Sequence, residues 1–230
     1  MRYSVDTSVF EINPNIKFGI LIGKNIRNSE TTPGDEGKLR DAERRMRENF
    51  RADQVRELPN VLLYREFMTN AGINPNKFPP SVEAMFKRIL KGGTLPIINA
   101  VVDLCNAVSI ARTISLGAHD LKDIQEDLEV RFAGEGDRFL PFGATEYENV
   151  DKGELIFTSG NTVQTRKWIW RQSELGKTAI DSKDIFFQLV GFEAADLAKA
   201  MADIENLVIA RFQGTCQKHI VDLNNRYIDF

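Results

Sequence analysis

The hydrophobic period of this chain changes near Asp120, and that change fixes the class of fold it can adopt. Through the middle of the chain before it, apolar residues recur three and four apart, as one helix face requires; after it, short runs rich in β-formers are separated by Gly, Asp or Asn. Between Gly37 and Phe50 the helical stripe is Leu39, Ala42, Met46 and Phe50, and a second stripe of Leu63, Tyr64, Phe67 and Met68 ends near Gly72. A third helix is read from its N-cap Ser81 through Val82, Met85, Phe86, Ile89 and Leu90, with Lys87, Arg88 and Lys91 in its last turns and Gly92 as its stop. The segment TLPIINAVVDLCNAVSIAR reads as a more apolar helix from Thr94, packed on the one before it, and ISLGAHD as the loop that follows.

Downstream, LEVRFAG, RFLPFG, ELIFTSG, TVQTRKWIWRQ and IFFQLVGF read as strands, and a last helix runs from about Glu193 to Phe212. One strand precedes all the helices: in IKFGILIG, Ile16, Phe18, Ile20 and Ile22 alternate with smaller or polar residues, which predicts one dominant core face, and NIRNSETTPGDEG after it reads as a loop. Helices in the middle and strands mostly in the second half make the class α+β rather than an alternating doubly wound sheet. A chain of 230 residues, 42% hydrophobic and without internal repeats, fits one domain with a substantial core.

Thirty basic against thirty-three acidic residues leave a net charge of -3, so no global positive field attracts nucleic acid. DNA is therefore not expected as a partner, and any RNA contact must be local. No apolar run approaches a membrane span, and MRYSVDTSVFEINP lacks a signal-peptide pattern, so the expectation is a cytoplasmic protein without a membrane partner. Two cysteines, Cys105 and Cys216, fit a reducing compartment.

Most catalytic signatures are absent. GILIGKN fails as a phosphate loop, because Gly19 and Gly23 are separated by three residues and Asn25 follows Lys24. There is no dinucleotide fingerprint, no zinc-protease helix, no calcium loop and no nucleophile elbow, so no cofactor is expected. Cys105, His119, Cys216 and His219 are the only soft metal ligands, and their spacing matches no finger or ribbon; no metal is expected.

What stands out is a polar line. Asn99, Asp103 and Asn106 fall on one face of a segment otherwise built from Ile97, Ile98, Val101, Val102, Leu104, Cys105 and Val108. Buried and unpaired, such groups cost about 1 to 3 kcal/mol each, so backbone, water or a ligand must satisfy them. Either Asp103 and Asn106 tie down the following loop, or Asn106 and that loop face a pocket; structure is favoured for Asp103.

These residues carry a resemblance. PPSVEAMFKRILKGGTLPIINAVVDLCNAVS, then AHD, then LEVRFAGEGDRFLPFG resembles the B3/B4 editing and tRNA-binding region of the phenylalanyl-tRNA synthetase β chain in its free-standing form. That pattern has a V-D-x-x-N helix, an Asp fourteen residues after the Asn, and a strand of the form R-x-A-x-x-G-E; here these are Asp103, Asn106, Asp120, Arg131, Ala133, Gly136 and Asp137, with Gly143 closing the turn. GELIF at Gly153 to Phe157 and TRKWIWRQS at Thr165 to Ser173 are similar to the tail of stand-alone members, so the resemblance covers about Leu62 to Gln172. Two departures stand out: the His found in many bacterial synthetases three residues before the family Asp is Gly117 here, and WIWRQSE replaces the glycine-rich loop of the amino-acid pocket.

The resemblance implies a layered β-β-α sandwich with a cleft, and hydrolysis of a mischarged aminoacyl-tRNA supplied in trans; it does not imply a synthetase, nor tyrosine specificity. Ester hydrolysis needs a positioned water, stabilisation of the oxyanion and recognition of the terminal adenosine. Asn106 is the candidate for holding substrate or water, and His119 for accepting a proton. Arg131 and Arg171 are candidates for phosphate or carbonyl oxygen, and Asn99 and Asp103 for further substrate contacts. Read on one strand, Trp168 and Trp170 share a face with Arg166; they either stack adenine or pack the core. The basic helix bearing Arg40, Arg44, Arg45, Arg47 and Arg51 either meets tRNA phosphates or is an ion-paired surface, since Asp41, Glu43 and Glu48 interleave. The competing functions are a non-catalytic module that binds tRNA or an amino-acid-like ligand, and a hydrolase of some other small ester or amide.

Overall fold

A computed structural model describes residues 1–230, apart from the side chains of residues 194 and 195. In chain order the elements are β1 (Arg2–Val5), α1 (Thr7–Ile12), β2 (Lys17–Lys24), α2 (Pro33–Asn49), α3 (Pro59–Asn70), α4 (Ser81–Leu90), α5 (Ala100–Arg112), β3 (Ser115–Asp120), β4 (Leu128–Phe132), β5 (Arg138–Phe139), β6 (Glu148–Asn149), β7 (Leu155–Ser159), β8 (Thr162–Arg166), β9 (Arg171–Gln172), β10 (Ile185–Gly191), α6 (Ala194–Asn206), β11 (Thr215–Val221) and β12 (Tyr227–Asp229). A single π-helical turn, Leu207–Arg211, extends α6.

The hydrophobic strand at the front of the sequence lies inside an antiparallel four-stranded sheet of order β11-β2-β10-β3. Its alternation predicts one core face, but both faces are buried. Phe18, Ile20 and Ile22 join Phe186 and Val190 of β10 on one side; Leu21 joins Phe187 and Leu189 on the other, under α5 and α6. The second face escapes a two-residue pattern because Gly19 supplies it by having no side chain: a Cβ there would lie 2.7 Å from Met201 Sδ, so α6 packs directly on the backbone.

The other sheet has eight strands, ordered β12-β1-β4-β7-β8-β5-β6 with β9 on β8, and is mixed, with β1–β4 and β5–β8 parallel. Between the sheets Phe157 stacks on Phe186 at 5.9 Å, and Tyr3 lies 5.3 Å from the same ring. The layers therefore run sheet, sheet, helices, the α+β sandwich expected. Helices α2, α3 and α4 contribute Leu39, Met46, Tyr64, Phe67 and Phe86 to the same core. The Tyr64 hydroxyl donates to Val190 O and accepts from Ser115 N, pinning α3 to two strands at once.

Several boundaries differ from expectation, each for a local reason. Helix α2 starts at Pro33, inside the segment read as loop, because Thr32 and Asp35 form a reciprocal capping box with Pro33 in the first turn. Ser81 is not a cap: Pro80 occupies that position, and Ser81 N donates to Ile169 O. Helix α5 starts at Ala100, not Thr94, because Asn99, itself extended, caps it by accepting at Oδ1 from Val102 N, while residues 94–98 are not helical. Those residues are held against α2, where Leu95 N donates to Glu43 Oε1 (2.7 Å) and Arg40 and Arg47 donate to the Leu95 and Gly93 carbonyls. ISLGAHD is not a loop but largely strand β3, paired along β10. TVQTRKWIWRQ is not one strand: Lys167 and Trp168 have φ of 48° and 65°, so the chain turns between β8 and β9. Glu154 drives that turn, accepting from Arg166 Nε, Lys167 N and Lys167 Nζ. Strands β1, β11 and β12 and helix α1 were not expected; β11 alternates weakly, with most of its side chains partly or fully exposed.

The R-x-A-x-x-G-D segment explains itself mechanically. Arg131 forms a bidentate pair with Asp137 (2.7 and 2.8 Å) and donates to Gly160 O, and Asp137 also accepts from Gly134 N across the turn at Gly136. Burial works against the Asp137 charge, but the bonds from Arg131 and Gly134 outweigh it and hold the carboxyl below its usual range. Replacing Arg131 by Met strands a buried carboxylate, so urea unfolding is expected to show a loss of about 2 to 4 kcal/mol. An unchanged midpoint would remove this pair from the stability account.

Candidate functional site

Strand β3 is the free edge of the four-stranded sheet, and a cleft opens along it. Residues 172–178 wrap that edge: Gln172 Nε2 and Thr178 Oγ1 donate to Ala118 O, and Asp120 N donates to Gly176 O. The cleft has two lobes that share Asn106, Gly117 and Gln172 as a common wall. The inner lobe, about 190 Å³, lies between the sheets; the outer, about 440 Å³, opens past Ile98, Val102 and Phe142. A groove of about 490 Å³ between α2 and α5 is larger, but its floor is apolar and its charged residues sit at its rim.

Asn106, half-buried on α5, makes no side-chain hydrogen bond among the described residues and faces both lobes. His119 is buried, its ring edge-on to Phe157 at 5.0 Å. Gln172 Nε2, which donates to the Ala118 carbonyl at 3.0 Å and reaches the Gly176 carbonyl at 3.4 Å, also lies 3.3 Å from His119 Nδ1. His119 Nε2 in turn lies 3.0 Å from where a Cβ on Gly117 would be, so the imidazole edge occupies space that a side chain at that position would take. Burial pushes the imidazole down to about 3, so it stays neutral at neutral pH. The neutral ring carries one N–H and one bare nitrogen, and burial makes that nitrogen a weak base.

Opposite Gly117 in the β3–β10 register stands Gln188, 6% exposed, whose Oε1 finds no partner among the described residues. Trp168, fully buried against Phe67 at 4.3 Å, lines the same lobe, and among the described residues its Nε1–H has no acceptor. Trp170 packs edge-on to Phe78, and the exposed Arg171 sits beside it, 6.0 Å from its ring, without a carboxylate partner among the described residues. Trp168 and Trp170 thus do not share a strand face with Arg166, which is engaged with Glu154 and Glu148 outside the cleft.

Of the residues singled out in the sequence, the fold brings Asn106, His119, Trp168, Trp170 and Arg171 to the inner lobe. It does not bring the other three. Asn99 caps α5 and donates to Thr178 O; Asp103, fully buried, accepts from Ile98 N and Thr31 Oγ1, and burial raises its carboxyl despite those bonds. Arg131 is locked to Asp137. Asp120 likewise serves the chain, accepting from Lys122 N and Ser182 Oγ. Gln172 and Gln188 were missed, although Gln188 is the one polar residue in IFFQLVG and asks for a partner by the same logic as Asn106. On α2, Arg40, Arg44 and Arg47 are paired with Glu36, Glu43, Asp41 and Glu48, and Arg51 with Asp53. Among the described residues no three metal-capable side chains gather, and burial lifts the thiols of Cys105 and Cys216 to about 12 and 11. No helix in the described residues is long and apolar enough to cross a membrane.

The sequence pattern of the B3/4 domain matches residues 63–223, and the chain belongs to that family. No curated protein matches it. Among solved structures, the N-terminal fragment of the phenylalanyl-tRNA synthetase beta-subunit from Pyrococcus horikoshii is similar at 12% identity and a TM-score of 0.46, over 95% of this chain and 53% of that one. The chain therefore spans about half the length of that structure.

Because the buried imidazole stays neutral while a histidine in the unfolded chain titrates near 6.5, the unfolded state binds the extra proton between about pH 6.5 and 3. Stability should fall as the pH drops through that window, by up to about 1.4 kcal/mol per pH unit relative to His119→Gln. NMR of the His119 ring should show no inflection between pH 5 and 8, and one near 6.5 would contradict the assignment.

Proposed function

We propose that this B3/4 domain protein binds the aminoacyl-adenosine end of a tRNA in the β3-edge cleft and hydrolyses the ester of a mischarged aminoacyl-tRNA in trans. The observation that carries this reading is the convergence of Asn106 and His119 Nε2 beside Gly117, two neutral hydrogen-bonding groups with no partner among the described residues, at the junction of two lobes. The motif resemblance to the synthetase β chain supplies the substrate class.

An aminoacyl ester is activated enough that neutral donors suffice. Water adds to the carbonyl carbon, and the charge that develops on its oxygen is met by the Asn106 amide and the His119 Nε2–H. Collapse breaks the bond to the ribose oxygen, which takes up the proton that the water gives up, so amino acid and free tRNA hydroxyl leave. The outer lobe has room for the adenosine beside Phe142, and Arg171 at the mouth meets a phosphate.

A second reading, a binding module for the same ligand, is favoured by one observation: among the described residues no carboxylate lines the inner lobe, so nothing there acts as a strong base. Deacylation assays over a panel of cognate and mischarged tRNAs separate the two. Selective release that falls about 100-fold in Asn106→Ala, with the fold intact, supports hydrolysis. Salt-sensitive tRNA binding without release from any pair supports the binding module. Arg171→Ala is expected to weaken tRNA binding across the panel and to reduce the slope of log affinity against log salt by about 1; an unchanged slope would remove Arg171 from phosphate contact.

A further inference from the structure

The groove between α2 and α5 has a chemistry unlike that of the cleft. Its apolar floor is built from Met46 and Phe50 at the end of α2, Leu104 and Val108 of α5, and Leu207, which opens the π-helical turn after α6. Single π-helical turns are rare and gather at functional sites. At about 490 Å³, with few polar groups on its walls, the groove has the size and make-up of a small-molecule site. It shares no lining residue with either lobe of the cleft, although α5 serves both.

The charges at its rim are unevenly met. Lys38, Asp41 and Arg45 line it from α2, at spacings of three and four that put them on one helix face, and Asp203 lines it from α6. Arginines outside the lining already hold both acids: Arg44 meets Asp41 at 3.1 Å, and Arg112 meets Asp203 at 2.6 Å. Lys38 and Arg45 are exposed and have no carboxylate partner among the described residues.

An apolar floor beneath two unmet cations complements a ligand with an apolar body and an anionic head. A small inorganic anion would leave the floor wet, and an ammonium head would meet repulsion at the rim. From Lys38 to Phe50 the chain rises about 18 Å along the α2 axis, which suits an extended body laid beside the helix. We infer that the α2–α5 groove binds a medium-chain carboxylic acid, its alkyl chain on the floor and its carboxylate toward Lys38 and Arg45. The site stands whether or not the cleft takes an aminoacyl-adenosine.

Calorimetry with decanoate, decylammonium and acetate, each below its micelle concentration, tests this. Decanoate is expected to saturate one site and to bind ~10-fold more tightly than decylammonium at low salt, with no binding of acetate. NMR of the methionine methyl groups locates the ligand: Met46 on the groove floor should shift, and Met85, which lines the inner lobe of the cleft, should not. Exposed positions supply variants that spare the core. Ala111→Trp, which fills the groove, is expected to abolish decanoate binding, and Lys38→Glu with Arg45→Glu to reverse the preference toward decylammonium. Equal binding of decanoate and decylammonium, acetate binding as tightly as decanoate, a shift at Met85 in place of Met46, or undiminished binding in Ala111→Trp overturns the inference. Failure of decanoate to bind overturns it as well.

Discussion

The structure depends on a sheet buried from both sides. Strand β10 sits between β2 and β3 with every residue buried, facing the second sheet on one side and the helical layer on the other. Such a strand can hold only apolar side chains or polar ones with a purpose, because any unpaired polar atom there is costly. That constraint forces glycine into β2 where α6 lies on it, and it makes Gln188 the exception that marks the cleft.

The cleft follows from where that sheet ends. At the β3 edge the backbone is closed off by Gln172 at the end of β9 and by Thr178 in the segment that follows it. Gly117 then leaves a gap on the inner face, and the imidazole two residues along turns its Nε2 into it. The histidine expected from the family pattern is absent at 117, yet an imidazole edge lies at that place in space, supplied by His119. Burial keeps that imidazole neutral, and the proposed reading uses it as a hydrogen-bond donor toward oxygen rather than as a strong base.

The α+β class, five of the helix cores and most of the central strands were legible in the sequence, because periodicity reports burial on one face. It failed where side chains act on the backbone instead. The capping box at Thr32 and Asp35, the cap at Asn99 and the Glu154 anchor of the Lys167 turn all decide boundaries through hydrogen bonds that have no period. Asn106 and His119 stood out as candidates by their chemistry, and the fold brings them together. Asn99, Asp103 and Arg131 looked equally chemical, but their polar atoms are consumed by neighbouring chain segments that no local pattern identifies. Gln188 was hidden by its own surroundings, one amide in an apolar run.

The central claim is that the β3-edge cleft takes the aminoacyl end of its ligand beside Asn106 and His119. A crystal structure of the protein with a 3′-aminoacylamido-3′-deoxyadenosine bound tests it most directly. The account predicts the carbonyl oxygen within hydrogen-bond reach of the Asn106 amide and His119 Nε2, the side chain in the inner lobe and the adenosine in the outer lobe. The ligand lying in the α2–α5 groove, or in the cleft with its carbonyl turned away from Asn106 and His119, would contradict it.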